Sequence, residues 1–294
     1  MQVHLVDGTY ELFRHFYGKH PSRPDTETGQ ELSAAYGVVG TVLQLLEDGA
    51  THVGVATDHV IESFRNDLWP GYKTGEGIDP ELWSQAHPSE EALRAVGVTV
   101  WAMVDDEADD ALGAAARVAA DDARVERVVI CTSDKDLGQC VGGKVVQLDR
   151  RNDRLLDADA VHEKFGVAPR SIPEYLALVG DSADGFPGLP GFGAKTAAAL
   201  LDRYGSIAAI PDDPDTWDVS VRGAPKLAAT LRESRELVEL FVTLATLRYD
   251  AAVGSVDDWQ WRGPDPTAWS GWCARFGSGS LPARVERLVH DRGL

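Results

Sequence analysis

The chain has 294 residues, 44% of them hydrophobic and 26% charged, with a formal net charge of −19. That length can bury a substantial core, while the absence of a run of about 18 apolar residues excludes a membrane-spanning helix. The start MQVHLVDGTY lacks the basic and apolar regions of a signal peptide, and Cys131, Cys140 and Cys273 form no C-x-x-C pair, so a reduced, cytoplasmic protein without a thiolate zinc site is expected. The acidic balance argues against a nucleic-acid partner only on average. Carboxylates gathered around divalent cations would raise the formal count and still leave a locally cationic site.

Residues 2–6 form an apolar strand, and 8–17 follow with helical spacing. A helix is expected over 34–46, where Val38, Val39, Val42, Leu45 and Leu46 recur at helical intervals, and strands over 52–57 and 98–101. Residues 61–95 make a long connection with Trp69, Pro70, Gly71, Gly75, Gly77 and Pro80 at its centre, and few core-type residues between Asp67 and Pro80; such connections are usually functional. An Ala-rich helix over 108–120 and strands over 127–132 and 144–148 complete an alternation of strands and helices. That alternation implies an α/β fold, a parallel sheet covered by helices on both faces. After about residue 154 the β pattern ends. Helices are expected over 158–165, 171–179, 194–204 and 225–246, with Gly166, Gly180 and Gly205 at C-cap positions. The expected organisation is 1–160, 161–250 and a tail, 251–294, whose Trp259, Trp261, Trp269 and Trp272 serve packing.

The acids fall at strand ends. Asp7 ends the first strand, Asp58 the second, and Asp134 and Asp136 follow the fourth, while Glu107, Asp109 and Asp110 open the Ala-rich helix. In a parallel sheet these ends share one edge, where α/β folds bind ligands. Singly, each acid has a bland explanation: Asp7 as an N-cap, the acids of 105–110 as partners of the helix dipole, Asp134 as a turn residue. Together they would repel one another unless cations sit among them. Without histidine or cysteine in the set, hard divalent ions such as Mg²⁺ or Mn²⁺ fit better than zinc, and phosphoryl chemistry is the usual work of such pairs. Residues 188–197, GLPGFGAKTA, approach a nucleotide-binding loop, G-x-x-x-x-G-K-[ST], but Ala194 intrudes before Lys195 and Thr196. One extra residue turns the lysine about 100° around the helix.

VDGTYELFR, FRNDLWPGYK, DDEADD, TSDKDLGQCV and YLALVGDSADGFPGLPGFGAKTAAALL, in this order over about residues 1–210, resemble the bacterial 5′-nuclease family. That family includes the 5′→3′ exonuclease domain of DNA polymerase I, phage 5′-nucleases and flap endonucleases. The resemblance implies a PIN-like sheet, a helical arch at 61–95 through which a 5′ single strand passes, and a helix-three-turn-helix element that grips duplex DNA. It implies two divalent cations, one near Asp7, Asp58, Glu107, Asp109 and Asp110, the other near Asp134, Asp136, Asp181 and Asp184. Arg14 and Lys73 then stabilise charge on the scissile phosphate. Arg65, Tyr72, Gly191, Gly193, Lys195 and Thr196 contact DNA, and carbonyls of the 188–196 loop are a seat for K⁺. The expected substrate is DNA with a 5′ flap, overhang or nick, or an RNA–DNA hybrid, and the expected state a monomer. No polymerase segment follows in the chain, which reads as a free-standing form.

Three positions depart from the family pattern. Glu76 stands where an arginine usually follows the Tyr-Lys pair, Gly185 where an asparagine follows Asp184, and Thr57 where a phenylalanine precedes Asp58. A catalytically silent scaffold for branched DNA and a PIN-type ribonuclease are the competing readings. The full carboxylate set opposes the first, and the loop at 188–197 the second.

Overall fold

The computed structural model describes residues 1–18, 20–277 and 279–294. β1 (Gln2–Asp7) leads into α1 (Gly8–Phe16) and α2 (Ser33–Glu47), then β2 (His52–Asp58). Three short helices follow, α3 (Phe64–Leu68), α4 (Pro80–Trp83) and α5 (Ala86–Ala95), before β3 (Thr99–Met103), α6 (Ala108–Asp121), β4 (Arg127–Cys131) and β5 (Val145–Asp149). A strand that the sequence did not suggest, β6 (Arg154–Leu156), pairs antiparallel with β5. Its three residues are too few to show alternation. The sheet order is β3-β2-β1-β4-β5-β6, parallel from β3 to β5. The chain leaves β1 in one direction towards β2 and returns to its other side at β4. The ligand crevice of such a sheet lies where the order reverses, and Asp7 ends the strand at that point.

Both faces of the sheet are covered, which is why its central strands read as nearly continuous apolar runs. Val3, Leu5, Val128 and Ile130 pack on one face with the alanines of α6 and with Leu247, Val253 and Trp259. Val6, Val53, Val55 and Val129 pack on the other with α2, α5, Trp261, Trp269 and Trp272. The tail thus contributes to both faces, and the four tryptophans expected to pack are all buried. Its helices are α12 (Pro266–Phe276) and α13 (Leu281–Arg292).

A third core joins α7 (Ala158–Phe165), α8 (Ile172–Val179), α9 (Ala194–Tyr204), α10 (Ala224–Glu233) and α11 (Arg235–Ala245). The helix expected over 225–246 is broken at Ser234 into α10 and α11. Gly166 and Gly205 end their helices in left-handed conformations, as expected. Among the described residues no helix is long and apolar enough to cross a membrane.

The 61–95 connection lies folded on the body. Tyr72 is buried in the third core, the Trp69 indole donates to the Gly185 carbonyl at 3.1 Å, and the Lys73 amide donates to the Asp184 carbonyl at 3.1 Å. The few core-type residues of this stretch, Trp69 and Tyr72, are the ones that pin it.

Candidate active site

Sheet geometry brings the strand-end acids together. Asp7 caps α1, its Oδ1 accepting from the Tyr10 amide at 2.8 Å, while Oδ2 accepts from Thr132 Oγ1 at 2.8 Å just beyond β4. Its capping role is therefore real, and it also ties β1 to β4. Asp58 Oδ1 accepts from the Ala108 amide at 2.9 Å, joining β2 to the start of α6. Asp136 opens a short 3-10 turn, Asp136–Cys140, and its amide donates to Asp134 Oδ1 at 2.9 Å. Asp181 and Asp184 are carried into the crevice by a tight turn after α8, closed by reciprocal bonds between Asp181 and Phe186 at 2.8 and 3.0 Å. Gly185 sits in that turn at φ +79°, and a Cβ there would lie 2.0 Å from the Gly71 carbonyl oxygen. Glycine in place of the usual asparagine is what lets the 69–72 segment dock so closely. Thr57, the other substituted position beside the site, uses its hydroxyl to bind buried Glu90 at 2.8 Å.

Two groups of carboxylates could each hold a metal ion. Asp109, Asp134 and Asp136 each offer an oxygen within 4.8 Å of the others, and so do Asp136, Asp181 and Asp184. Asp136 belongs to both groups. This divides the acids differently from the expectation, which put Asp109 with Asp7 and Asp58. The donors are all hard oxygens, and Asp136 Oδ1 is buried without a hydrogen-bond partner. A buried carboxylate oxygen left in that condition is costly, and a cation held by either group would satisfy it. The electrostatics agree. Burial, with Asp58 and Asp134 nearby, pushes Asp7 up to about 7, and burial with Asp181 nearby pushes Asp184 up to about 6. Burial also raises Asp58, and burial together with Asp134 raises Asp109 and Asp136.

Two expected metal positions are committed elsewhere. Asp110 receives both Nη atoms of Arg65 at 2.7 and 2.8 Å, the Glu107 amide at 2.9 Å and the Arg248 amide at 2.8 Å. Its oxygens are saturated and fully buried, so it is a structural anchor and not a ligand. Glu107 binds Lys73 Nζ at 2.7 Å, Ser63 Oγ at 2.6 Å, Arg65 Nη1 at 3.2 Å and the Tyr72 hydroxyl at 3.3 Å. Burial alone would raise its carboxyl, but Lys73 and Arg65 outweigh that and hold it below the usual range.

The expected DNA contacts divide in the same way. Arg65 is 2% exposed, and beyond Asp110 it donates to the Leu244 and Thr246 carbonyls at 2.9 and 3.1 Å. It fastens α3 to α6 and α11 and cannot face a strand; the same correction applies to the buried Tyr72. Trp69 is likewise used in docking, edge-on to Phe241 at 5.3 Å. Lys73 does stand in the crevice, between Glu107 and Asp184 Oδ1 at 3.7 Å. Arg14 pairs with fully buried Glu11, its Nε at 2.9 Å, and bonds Thr41 Oγ1 at 3.1 Å, and it pairs with none of the nine candidate acids.

The loop before α9 is exposed at Gly191, Gly193 and Lys195. Gly188, at φ +67°, lets this loop press on the end of α8, where a Cβ would meet the Gly180 nitrogen at 2.3 Å. Gly193 is different. Its φ is −102° and a Cβ there would meet nothing within 4 Å, so the fold does not require glycine. The Thr196 and Ala197 amides both turn back to the Gly193 carbonyl at 3.0 Å, which leaves the first amides of α9 facing outward. A bare helix start of this kind suits an anion.

Two basic residues here escaped the sequence reading. Lys135 binds Asp181 Oδ2 at 2.6 Å; its position between two metal-type aspartates was the available signal. Exposed Lys226 precedes Leu227, whose side chain lies 3.3 Å from where a Cβ of Gly191 would be. The stretch RGAPK around Gly223 could have suggested a second helix start beside the loop.

Comparison with known proteins bears on the whole chain. Residues 2–166 match the model of the 5′-3′ exonuclease N-terminal resolvase-like domain, and residues 167–267 that of the 5′-3′ exonuclease C-terminal SAM fold. DNA polymerase I of Pseudomonas aeruginosa is 37% identical over 256 residues, covering 84% of this chain and 27% of the relative, so the chain spans about a quarter of the length of such relatives. A 5′-3′ exonuclease of Buchnera aphidicola is 25% identical over 255 residues, 85% of this chain and 88% of the relative. The solved structure of a bacteriophage T5 flap endonuclease, in a pseudo-enzyme–product complex with DNA and metal ions, shares the fold over 100% of both chains at a TM-score of 0.67 and 18% identity.

Proposed function

The chain belongs to the 5′-3′ exonuclease family, and from that premise we propose that it is a structure-dependent 5′ nuclease hydrolysing DNA phosphodiesters at a 5′ flap, overhang or nick with two divalent cations. The observation that carries this reading is the pair of three-carboxylate groups sharing buried Asp136 at the switch point of the sheet. Its oxygen chemistry favours Mg²⁺ or Mn²⁺. The chemistry such a pair supplies when bound is charge stabilisation on the attacking and leaving oxygens of an in-line displacement.

The chain's own residues do the rest. Asp109, Asp134 and Asp136 hold one cation, and Asp136, Asp181 and Asp184 the other, with Asp7 and Asp58 fixing the sheet ends behind them. Lys73, which stands between Glu107 and Asp184, would donate to the non-bridging oxygens of the scissile phosphate. Arg14 contacts the backbone further along the strand. The α9 amides, Gly191, Gly193, Lys195 and Thr196 hold a phosphate of the duplex, and loop carbonyls at 188–196 seat K⁺. Strand passage at 61–95 requires Trp69 to leave Gly185.

The test is a set of flap, overhang and nicked duplexes, labelled at either end and incubated with Mg²⁺ or Mn²⁺. Cleavage near the 5′ end that depends on the junction supports the reading. Binding without cleavage would instead establish a silent scaffold, and preferential cleavage of single-stranded RNA a PIN-type ribonuclease. An RNA–DNA hybrid belongs in the same set.

A further inference from the structure

Lys135 lies between two aspartates of the site in sequence, yet its side chain pairs with neither. It reaches across to Asp181, Nζ to Oδ2 at 2.6 Å. Asp181 is 3% exposed, its other oxygen accepts from the Ala183 amide at 3.0 Å, and it belongs to the group with Asp136 and Asp184. The ammonium therefore occupies one of the few positions from which Asp181 could present an oxygen to a metal. The Lys135 side chain is 34% exposed, so it can swing into water without opening the core. Lys73 stands at another member of the same group, Asp184, at 3.7 Å. The first group, Asp109, Asp134 and Asp136, has no lysine ion-paired to it among the described residues.

We propose that Lys135 is a resident counter-ion of the Asp136–Asp181–Asp184 group. It balances the group's charge in the absence of a divalent cation and competes with that cation for Asp181, so it makes the two groups unequal in affinity. The inference rests on the two-cation reading above. An ammonium 2.6 Å from Asp181 Oδ2 repels a divalent cation approaching the same carboxylate, so the metal enters at the expense of the lysine contact. Its removal should tighten the second site by about tenfold, the equivalent of about 1.4 kcal/mol.

The test uses the full chain without DNA. Mn²⁺ binding is followed by electron paramagnetic resonance in the natural protein, in Lys135→Met, which keeps the length and removes the charge, and in Lys135→Arg, which keeps the charge. Thermal unfolding is measured in EDTA. The expected result is two unequal Mn²⁺ sites in the natural protein. Lys135→Met should tighten the weaker by about tenfold and lower Tm in EDTA, and Lys135→Arg should restore the inequality. A weaker site that is unchanged or loosened in Lys135→Met overturns the proposal. A measurement on the natural protein guards against a variant that does not fold. Acylation of Lys135 by an amine-reactive ester, read by mass spectrometry, should rise several-fold when Mn²⁺ replaces EDTA, and unchanged labelling also overturns the proposal. If the natural protein binds no Mn²⁺, the two-cation reading itself falls, which is distinct from a lysine that does not matter.

Discussion

Replacing Arg65 by alanine separates a structural role from a DNA-binding one. The guanidinium makes a buried bidentate pair with Asp110, a buried bond to the Leu244 carbonyl and a part-buried one to the Thr246 carbonyl. Arg65→Ala leaves the Asp110 carboxylate buried with amide donors and no cation, and breaking one partner of a buried pair costs about 3–5 kcal/mol. At about 2 °C per kcal/mol for a chain of this size, Tm should fall by roughly 6–10 °C. Asp110→Asn should fall by a similar amount, and the double variant should lose much less than the sum, because the two residues act as one unit. Below the new transition, affinity for a 5′-flap duplex should stay within about twofold of the natural protein, since no strand reaches the side chain. Thermal unfolding by circular dichroism and flap binding by fluorescence anisotropy decide the matter. An unchanged Tm with lost flap affinity would falsify the reasoning and return Arg65 to the substrate path.

Stability in EDTA should fall as pH rises. Burial raises Asp7 to about 7 and Asp184 to about 6, so the folded state holds protons that the unfolded chain has released. That stabilisation is present below about pH 4 and lost as pH passes through 6 and 7; Tm measured in EDTA from pH 5 to 8 should decline, Mg²⁺ should recover it at the upper end, and a flat profile would refute the crowding. Asp136→Asn removes the residue shared by both carboxylate groups and should lower turnover by orders of magnitude while also weakening both Mn²⁺ sites, whereas loss of a single site would show that Asp136 is not shared. Gly193→Ala with Lys195→Ala should leave Tm nearly unchanged, because a Cβ at Gly193 meets open space. Duplex affinity should fall, and the log–log slope of affinity against salt should shrink by about 0.9 for each phosphate no longer neutralised. Glu76→Arg should tighten flap binding at low salt, where screening is weakest; equal affinities there would mean that Glu76 does not face the strand.

The sheet and the crevice were legible because they depend on periodicity and on strand ends. Val3, Leu5 and Val6, then the run Val128, Val129 and Ile130, could only be buried strands, and the acids at Asp7, Asp58 and Asp134 had to share an edge once the strands were parallel. What the sequence could not disclose was pairing. FRNDLWPGYK shows an arginine and a tyrosine in a loop, and nothing local says that Asp110, forty-five positions on, will hold Arg65 from within a helix. Nor does a row of aspartates reveal which oxygens are already saturated. Asp109 and Asp110 are neighbours in sequence, but a helix turns successive side chains apart by about 100°, so Asp109 enters the metal-type group while Asp110 is consumed by Arg65. The antiparallel β6 was missed because a three-residue strand carries no pattern of its own.

Charge balance links the metal and the nucleic acid. Nine candidate carboxylates lie around the crevice, and among the described residues Arg65, Lys73 and Lys135 answer them with three cations. Counted with every carboxylate ionised, the formal deficit is six, and two divalent cations would reduce it to two. The other thirteen of the nineteen net negative charges lie elsewhere on the chain, so no general positive field draws DNA to this protein. A phosphate entering the crevice without cations would meet uncompensated carboxylates at close range, where repulsion is strong. With cations present it meets Lys73 and an almost neutral site. Cation binding must therefore favour DNA at the crevice, and by linkage DNA must tighten the cations by the same factor. On the proposed reading the loop before α9 would hold its phosphate on amides and Lys195, none of which belongs to the carboxylate groups, and so would be free of that coupling. A duplex held by the loop alone should bind with nearly equal affinity in EDTA and in a divalent cation that does not support cleavage, such as Ca²⁺. A substrate whose scissile phosphate reaches the crevice should bind more tightly in Ca²⁺. Equal metal dependence for both substrates would show that the two surfaces do not act separately.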